Sequence, residues 1–134
     1  MKLFLSFRYT GESTEALKEF FLPVKEVLQR AGHEVYLSLE DLQVWEDTTM
    51  TLQEKFMATF AKLGASDAVV VVVRSNDRSE GMLMEVGYAL GSTMPIHLFR
   101  AAGVETYIAA VANTDTTFQT HEELLEKINT TLHI

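Results

Sequence analysis

The segment DAVVVVV, residues 67–73, decides the fold class because it places five consecutive valines after Ala68. β-branched side chains favour a strand over a helix, and an apolar run without alternation indicates a strand that is covered on both faces. Strands of this kind lie in the middle of parallel sheets, which carry helices on each side. The segment therefore predicts the central strand of an α/β domain.

Strand and helix patterns alternate along the rest of the chain, without a linker or repeat. The predicted strands are residues 2–7, 33–39, 67–73, 95–99 and a short one near Phe118; the predicted helices lie between Ser13 and Gly32, from 52 to a stop at Gly64, at about 82–91, at 105–112 and at 121–132. We therefore expect one doubly wound, flavodoxin-like α/β domain over residues 1–134. Its five-stranded parallel sheet should have the order 2-1-3-4-5, with helices on both faces.

Two local expectations accompany this assignment. Pro23 lies inside the first predicted helix and should kink it or split it, because proline lacks the amide hydrogen that a helix interior uses. The second helix should turn its apolar stripe toward the sheet, with Leu52, Phe56, Phe60 and Leu63 as the inward residues.

Composition limits the classes of partner and site. A formal net charge of −8 argues against binding polymeric nucleic acid, which needs a basic surface. The absence of cysteine excludes disulfides, thiolate metal sites and cysteine nucleophiles. The four histidines show no ligand spacing, so we expect neither a metal nor a cofactor.

The amino-terminal segment MKLFLSFRYTG is apolar over too few residues to be a secretory signal. No apolar run in the sequence approaches the roughly 20 residues that a membrane span needs. The sequence therefore predicts a cytoplasmic protein without a membrane partner.

Ligands of such folds bind beyond the carboxyl ends of strands 1 and 3. There the sequence should gather Ser6, Arg8 and Tyr9 with the loop 74–81. Glu85 lies just after that loop and carries the only formal charge between residues 81 and 99. Burying an unpaired carboxylate among apolar residues costs free energy, so such a residue is either exposed at a helix end or kept for chemistry.

The start of the third long helix suits an anion, because its free amide groups and positive dipole end face the crevice. Ser79 offers a hydroxyl, Gly81 lets the backbone approach closely, and Arg8 can add a charge-assisted fork. Glu85, about one turn further along, can act as a nucleophile toward a sugar carbon when it is partly desolvated.

Each of these side chains also has a purely structural explanation. Ser79 can serve only as a helix N-cap, Glu85 can merely complement the helix dipole, and Arg8 can form a surface ion pair. Tyr9 can pack within its loop. Trp45, in the loop after strand 2, can stack on a base or cover the core.

The segment SEGMLMEVGYALG, residues 79–91, resembles the nucleoside 2-deoxyribosyltransferase superfamily, and within it the 2′-deoxynucleoside 5′-phosphate N-hydrolases. Those proteins carry Ser or Asp six residues before a catalytic Glu, a Gly between them, and then Glu-x-Gly. The matching residues here are Ser79, Gly81, Glu85 and Gly87. The segment LFLSFRYTG is similar to the Ser-x-Arg loop after the family's first strand.

The resemblance implies that Glu85 attacks C1′ of a 2-deoxyribosyl group and releases the base. In a hydrolase, water would then take the deoxyribosyl group from Glu85, whereas in a transferase a second base would take it. In the family, Ser at the position of Ser79 accompanies a 5′-phosphate, whereas Asp accompanies a free 5′-hydroxyl. The resemblance thus favours hydrolysis of a 2′-deoxynucleoside 5′-monophosphate, with Ser6, Arg8, Tyr9, Ser79 and Gly81 binding the substrate. It also implies a homodimer or a higher homo-oligomer.

The sequence departs from the family at several positions. Thr59 stands where the family has an Asp that helps protonate the leaving base, and threonine cannot serve as that acid. Tyr9 and Thr10 replace glycines of the first loop, and Leu83 replaces a glycine before the Glu. A deoxyribosyltransferase and a nucleotide-binding module without catalysis therefore remain the alternatives.

Overall fold

The order of elements along the chain follows the alternation of strand and helix. A computed structural model describes residues 1–9, 11–41 and 46–133. Within these residues, strands β1 to β5 span Lys2–Phe7, Glu34–Leu37, Ala68–Val73, Ile96–Ala101 and Thr114–Phe118. Helices α1 to α5 span Thr14–Arg30, Leu52–Gly64, Glu80–Gly91, Ile108–Val111 and His121–Leu132, and a 3-10 helix covers Ser38–Asp41.

The five strands form one parallel sheet in the order β2-β1-β3-β4-β5, which confirms the predicted topology. Every residue of β3 is buried, as the valine run predicted. β1 and β3 are neighbours, with Ser6 opposite Val71 in the register. The chain order reverses between these two strands, so a crevice opens beyond their carboxyl ends.

Two apolar layers cover the sheet, and the alternation of β1 assigns its side chains to one or the other. Leu5 packs in the layer that contains residues of α1 and α5, whereas Phe4 packs with residues of α2 and α3. Because successive side chains of a strand point to opposite faces, Ser6 lies on the same face as Phe4. The only polar side chain of β1 after Lys2 is thereby turned toward α3.

The predicted split of the first helix at Pro23 was wrong, and so was the inward position of Leu52. α1 is one helix through Pro23, and its buried residues on both sides of the proline hold it against the sheet. Leu52 is 64% exposed, because it is the first residue of α2, whereas Thr59 and Leu63 further along are buried. Among the described residues, no helix has the length and apolar character to cross a membrane.

Candidate active site

Ser6 and Glu85 meet in the crevice between β1 and α3. The Ser6 hydroxyl donates a hydrogen bond of 2.7 Å to Glu85 Oε1. Ser6 is 1% exposed, and Glu85 is half-buried on the side of α3 that also buries Met82, Val86 and Ala89. The contact exists because Ser6 faces α3 and because positions 82, 85 and 89 share one helix face.

Burial raises the pKa of Glu85 from 4.5 to about 7, and the hydrogen bond from Ser6 acts against this rise. Desolvation disfavours the carboxylate, while a donor hydrogen bond favours it. Glu85 therefore changes its protonation state near neutral pH, which is a property of carboxyl groups at catalytic sites.

Glu85→Gln should raise the free energy of unfolding at pH 8 by on the order of 2 kcal/mol. Partial exposure of the side chain keeps this gain below what the full pKa shift would give. In the wild type, the unfolded chain ionises from about pH 4.5, whereas the folded chain retains its proton up to about pH 7. Stability is therefore lost as the pH rises between these values, and glutamine avoids this loss. Thermal unfolding at pH 5 and pH 8 measures the difference, which should be much smaller at pH 5. If the substitution changed the free energy of unfolding by the same amount at pH 5 and at pH 8, the prediction would be contradicted.

Glu85 lines a cleft of about 670 Å³ that opens to solvent. Its lining combines loop residues that follow β1, the start of α3 and one side of α2. The aromatic members are Tyr9, Phe56 and Phe60, and the polar members include Thr59, Ser79 and Glu85. A volume of this size can hold a nucleotide-sized molecule.

The amino-terminal end of α3 combines a cap with open space. Ser79 is the N-cap, and its Oγ accepts a hydrogen bond of 3.2 Å from the Met82 amide. The hydroxyl hydrogen of Ser79 is not used in that bond and can be donated to an anion. A Cβ added at Gly81 would have no atom within 4 Å, so the backbone there is open to a ligand.

Arg8 lines the same cleft and forms an ion pair with Asp77. Its Nη1 lies 3.4 Å from Asp77 Oδ2, and the Asp77 side chain is 70% exposed. Among the described residues, no group accepts a hydrogen bond from the buried Arg8 Nε. Gly11 adopts a φ of +87°, and a Cβ at that position would lie 3.1 Å from Arg8 Nη2. The glycine turn thus leaves room for the guanidinium group.

The predicted site residues Ser6, Arg8, Tyr9, Ser79, Gly81 and Glu85 are brought together by the fold, five of them in the lining and Ser6 through its bond to Glu85. The structural explanations for Ser79 as a cap and for Arg8 in an ion pair also hold. Tyr9 both lines the cleft and stacks on Phe7, with 6.1 Å between the ring centroids.

Sequence reasoning did not single out Arg78, although it lies in the loop assigned to the crevice. Arg78 is exposed and lines the cleft beside Ser79. A cation directly before an N-cap was the signal that could have identified it. Arg74, from the same loop, instead forms an ion pair of 2.7 Å with Glu12 and stacks on Phe20.

Thr59 lines the cleft, is 6% exposed, and donates its hydroxyl hydrogen to the Lys55 carbonyl at 3.1 Å. Trp45 and Thr10 lie outside the described residues, so the role of Trp45 in stacking on a base or covering the core stays a prediction. Within the described part of the chain, no cluster of three or more His, Asp or Glu side chains could hold a metal ion.

Comparison with known proteins adds a family and a set of similar folds. The sequence matches the nucleoside 2-deoxyribosyltransferase family over residues 10–127. A comparison with curated proteins found no match.

Solved structures share the fold over nearly the whole chain. A CMP N-glycosidase from Clostridium botulinum has a TM-score of 0.73 and 17% identity, with 98% of this chain and 100% of that chain covered. A 2-deoxyribosyltransferase from Bacillus psychrosaccharolyticus has a TM-score of 0.73 and 21% identity, with coverage of 100% and 97%. A conserved protein from Enterococcus faecalis V583 has a TM-score of 0.73 and 17% identity, with coverage of 98% and 99%.

Proposed function

The chain belongs to the nucleoside 2-deoxyribosyltransferase family, and we propose that it hydrolyses the N-glycosidic bond of a 2′-deoxynucleoside 5′-monophosphate. Membership of the family supports N-glycosidase or deoxyribosyltransferase chemistry. The observation that carries the finer proposal is the hydrogen-bonded pair of Ser6 and Glu85 in a cleft that also holds Ser79, Gly81 and Arg8.

In the proposed mechanism, Glu85 is the nucleophile. Ser6 holds Oε1 by its hydrogen bond, which leaves Oε2 to attack C1′ of the deoxyribosyl group. The C1′–N bond breaks with its electron pair on the base, and an ester forms between Glu85 and C1′. Water then cleaves this ester, which releases 2-deoxyribose 5-phosphate and regenerates the carboxylate. The proton that the water loses balances the proton that the departed base takes up from solvent.

The donors around the start of α3 support a 5′-phosphate as the anchoring group of the substrate. The Ser79 hydroxyl, the open backbone at Gly81 and the positive end of the helix dipole all favour an anion. Arg8 and Arg78 add two cationic side chains to the same lining. A 5′-phosphate here would place C1′ further into the cleft, toward Glu85.

The lack of an acidic side chain at Thr59 favours the alternative of a nucleotide-binding module without turnover. It is buried in the cleft wall, and its hydroxyl hydrogen is used by the Lys55 carbonyl. A hydrolase that acts on an ordinary base gains rate from an acid that protonates the leaving group. The third candidate, a transferase, would pass the deoxyribosyl group to a second base instead of water.

Incubation of the pure protein with each of the four common deoxynucleoside monophosphates, followed by chromatographic assay of free base, tests the proposal. A hydrolase should release base without an added acceptor. Release that depends on a second base would establish a transferase. Calorimetric binding of a nucleotide without any release of base would establish the binding module.

Asp77→Asn should strengthen binding of inorganic phosphate and of nucleoside monophosphates by roughly three- to tenfold. The exposed Asp77 carboxylate pairs with Arg8 and competes with a substrate phosphate for the guanidinium group. Isothermal titration calorimetry of both variants measures the change. Glu122→Gln, on α5 and exposed, removes the same charge elsewhere and serves as the control. Equal effects of the two variants would show that only net charge matters.

We also propose a homodimer that uses the outward face of α3. Leu83, Met84, Tyr88 and Leu90 are each 40–50% exposed on this helix. A Cβ at Gly87 would meet no atom within 4 Å, so a second helix can approach closely there.

The cytoplasmic location expected from the sequence stays a prediction.

Light scattering coupled to size-exclusion chromatography should give a mass of twice 15.1 kDa. Leu90→Glu should shift the protein toward the monomer, because it places a charge in the proposed apolar contact. Leu52→Glu makes the same change at an exposed leucine of α2 and is the control. A monomeric wild type at micromolar concentration would remove the proposal.

A further inference from the structure

The cleft has two chemically different walls. The loop wall carries the cationic and hydroxyl groups that suit a phosphate, namely Arg8, Arg78 and Ser79. The α2 wall consists of Phe56, Thr59 and Phe60, and none of these side chains carries a charge. If the phosphate binds at the loop wall and C1′ lies at Glu85, the base must extend toward the α2 wall.

A neutral base that leaves C1′ takes the electron pair of the bond and needs a proton, which a positioned acid normally supplies. Thr59 is an alcohol whose hydroxyl hydrogen already bonds to the Lys55 carbonyl at 3.1 Å. Glu80 lines the cleft, but its side chain is exposed. It is the first residue of α3, at the end of the cleft where the phosphate is proposed to bind. Among the described lining residues, Glu85 is the remaining carboxyl group, and it acts as the nucleophile.

A leaving base that already carries a positive charge does not need this proton. We propose that the cleft acts on deoxynucleoside 5′-monophosphates whose base is a ring cation, as in an N7-alkylated purine. This inference rests on the function proposed above. Aromatic faces attract cations, and Phe56, Phe60 and Tyr9 provide three of them around the cleft. The ionised Glu85 carboxylate in the same lining also attracts a positively charged base.

The chemical step then balances without an acid. The electron pair of the C1′–N bond neutralises the cationic ring, and the base leaves as a neutral molecule. Glu85 forms the ester bond to C1′, and water cleaves it with release of one proton to solvent. A neutral purine in the same site would have to leave as an anion, which raises the barrier.

The first experiment compares N7-methyl-dGMP with dGMP by the rate of base release, after subtraction of the spontaneous loss measured with Glu85→Gln. We expect kcat/KM for the methylated nucleotide to exceed that for dGMP by at least about 10³-fold, since a positioned acid contributes roughly 10²–10⁴-fold. A ratio below about tenfold would overturn the inference. Equal release by wild type and Glu85→Gln from both nucleotides would instead remove the proposed function itself.

The second experiment supplies the missing acid. Thr59→Asp should raise kcat/KM for dGMP by about 10- to 100-fold and should shift the methylated substrate much less. Thr59→Asn has the same shape without the acid and should give no gain on dGMP. An equal gain from both variants would contradict the inference, because shape rather than proton donation would then limit the reaction.

Tyr9 provides a third readout that does not depend on a substitution in α2. Tyr9 lines the cleft, and its phenol is a further described group that could donate a proton to the base. Tyr9→Phe should lower kcat/KM for dGMP and for N7-methyl-dGMP by the same factor if the ring only packs. A loss confined to dGMP and larger than about tenfold would identify Tyr9 as the acid and overturn the inference.

Discussion

Glu85→Gln should lower the rate of base release from the cleaved deoxynucleoside monophosphate by roughly 10⁴-fold or more. Glutamine can still accept the hydrogen bond from Ser6 and keeps the shape of the side chain, but its amide cannot form the ester with C1′. Single-turnover assays with chromatographic detection of the base measure the loss. Glu19→Gln, an exposed carboxylate of α1, is the control and should retain the wild-type rate.

A second variant separates a nucleophile from a residue that only shapes the cleft. Glu85→Ala leaves space beside C1′, and added azide should enter this space and yield a 2-deoxyribosyl azide. Rescue by azide would assign the bond-forming role to the position of the carboxylate. Residual activity within tenfold of wild type in both Glu85 variants would rule out the proposed mechanism.

Ser79→Asp should reduce kcat/KM for a deoxynucleoside 5′-monophosphate by about 10²- to 10³-fold, while the corresponding deoxynucleoside without phosphate should lose little. Aspartate is as good an N-cap as serine, so the start of α3 should be retained. Its negative charge would stand where the phosphate is proposed to bind. Kinetics on the matched pair of substrates give the change in preference.

Ser79→Asn is the control for this change, because asparagine caps a helix without adding charge. The asparagine variant should alter the preference between phosphorylated and unphosphorylated substrate by less than about tenfold. If both variants lose the same activity, the Ser79 hydroxyl itself is required. If neither variant changes the preference, the phosphate is bound elsewhere in the cleft.

The valine run at residues 69–73 determined the central strand, since consecutive β-branched residues are typical of a strand that is buried on both faces. Strand alternation and the known hand of crossovers then fixed the sheet order, which the fold confirms. This topology places the loops after β1 and β3 at the same edge of the sheet. It therefore predicted a common location for Ser6, Arg8, Ser79 and Glu85. These properties are local or topological, and a pattern of residue types can express them.

Other features depend on distances that a pattern does not contain. The 2.7 Å bond between Ser6 and Glu85 joins residues 79 positions apart, and the rise of the Glu85 pKa to about 7 follows from the packing around it. The ion pair of Arg8 with Asp77 and the exposure of Leu52 depend likewise on where each side chain ends in space. Residue types and their order therefore determined the fold and predicted which loops meet at the crevice, but they did not single out Arg78 in the lining. Only tertiary packing decided the contacts and the desolvation that set their chemistry, because both depend on neighbours brought from distant parts of the chain.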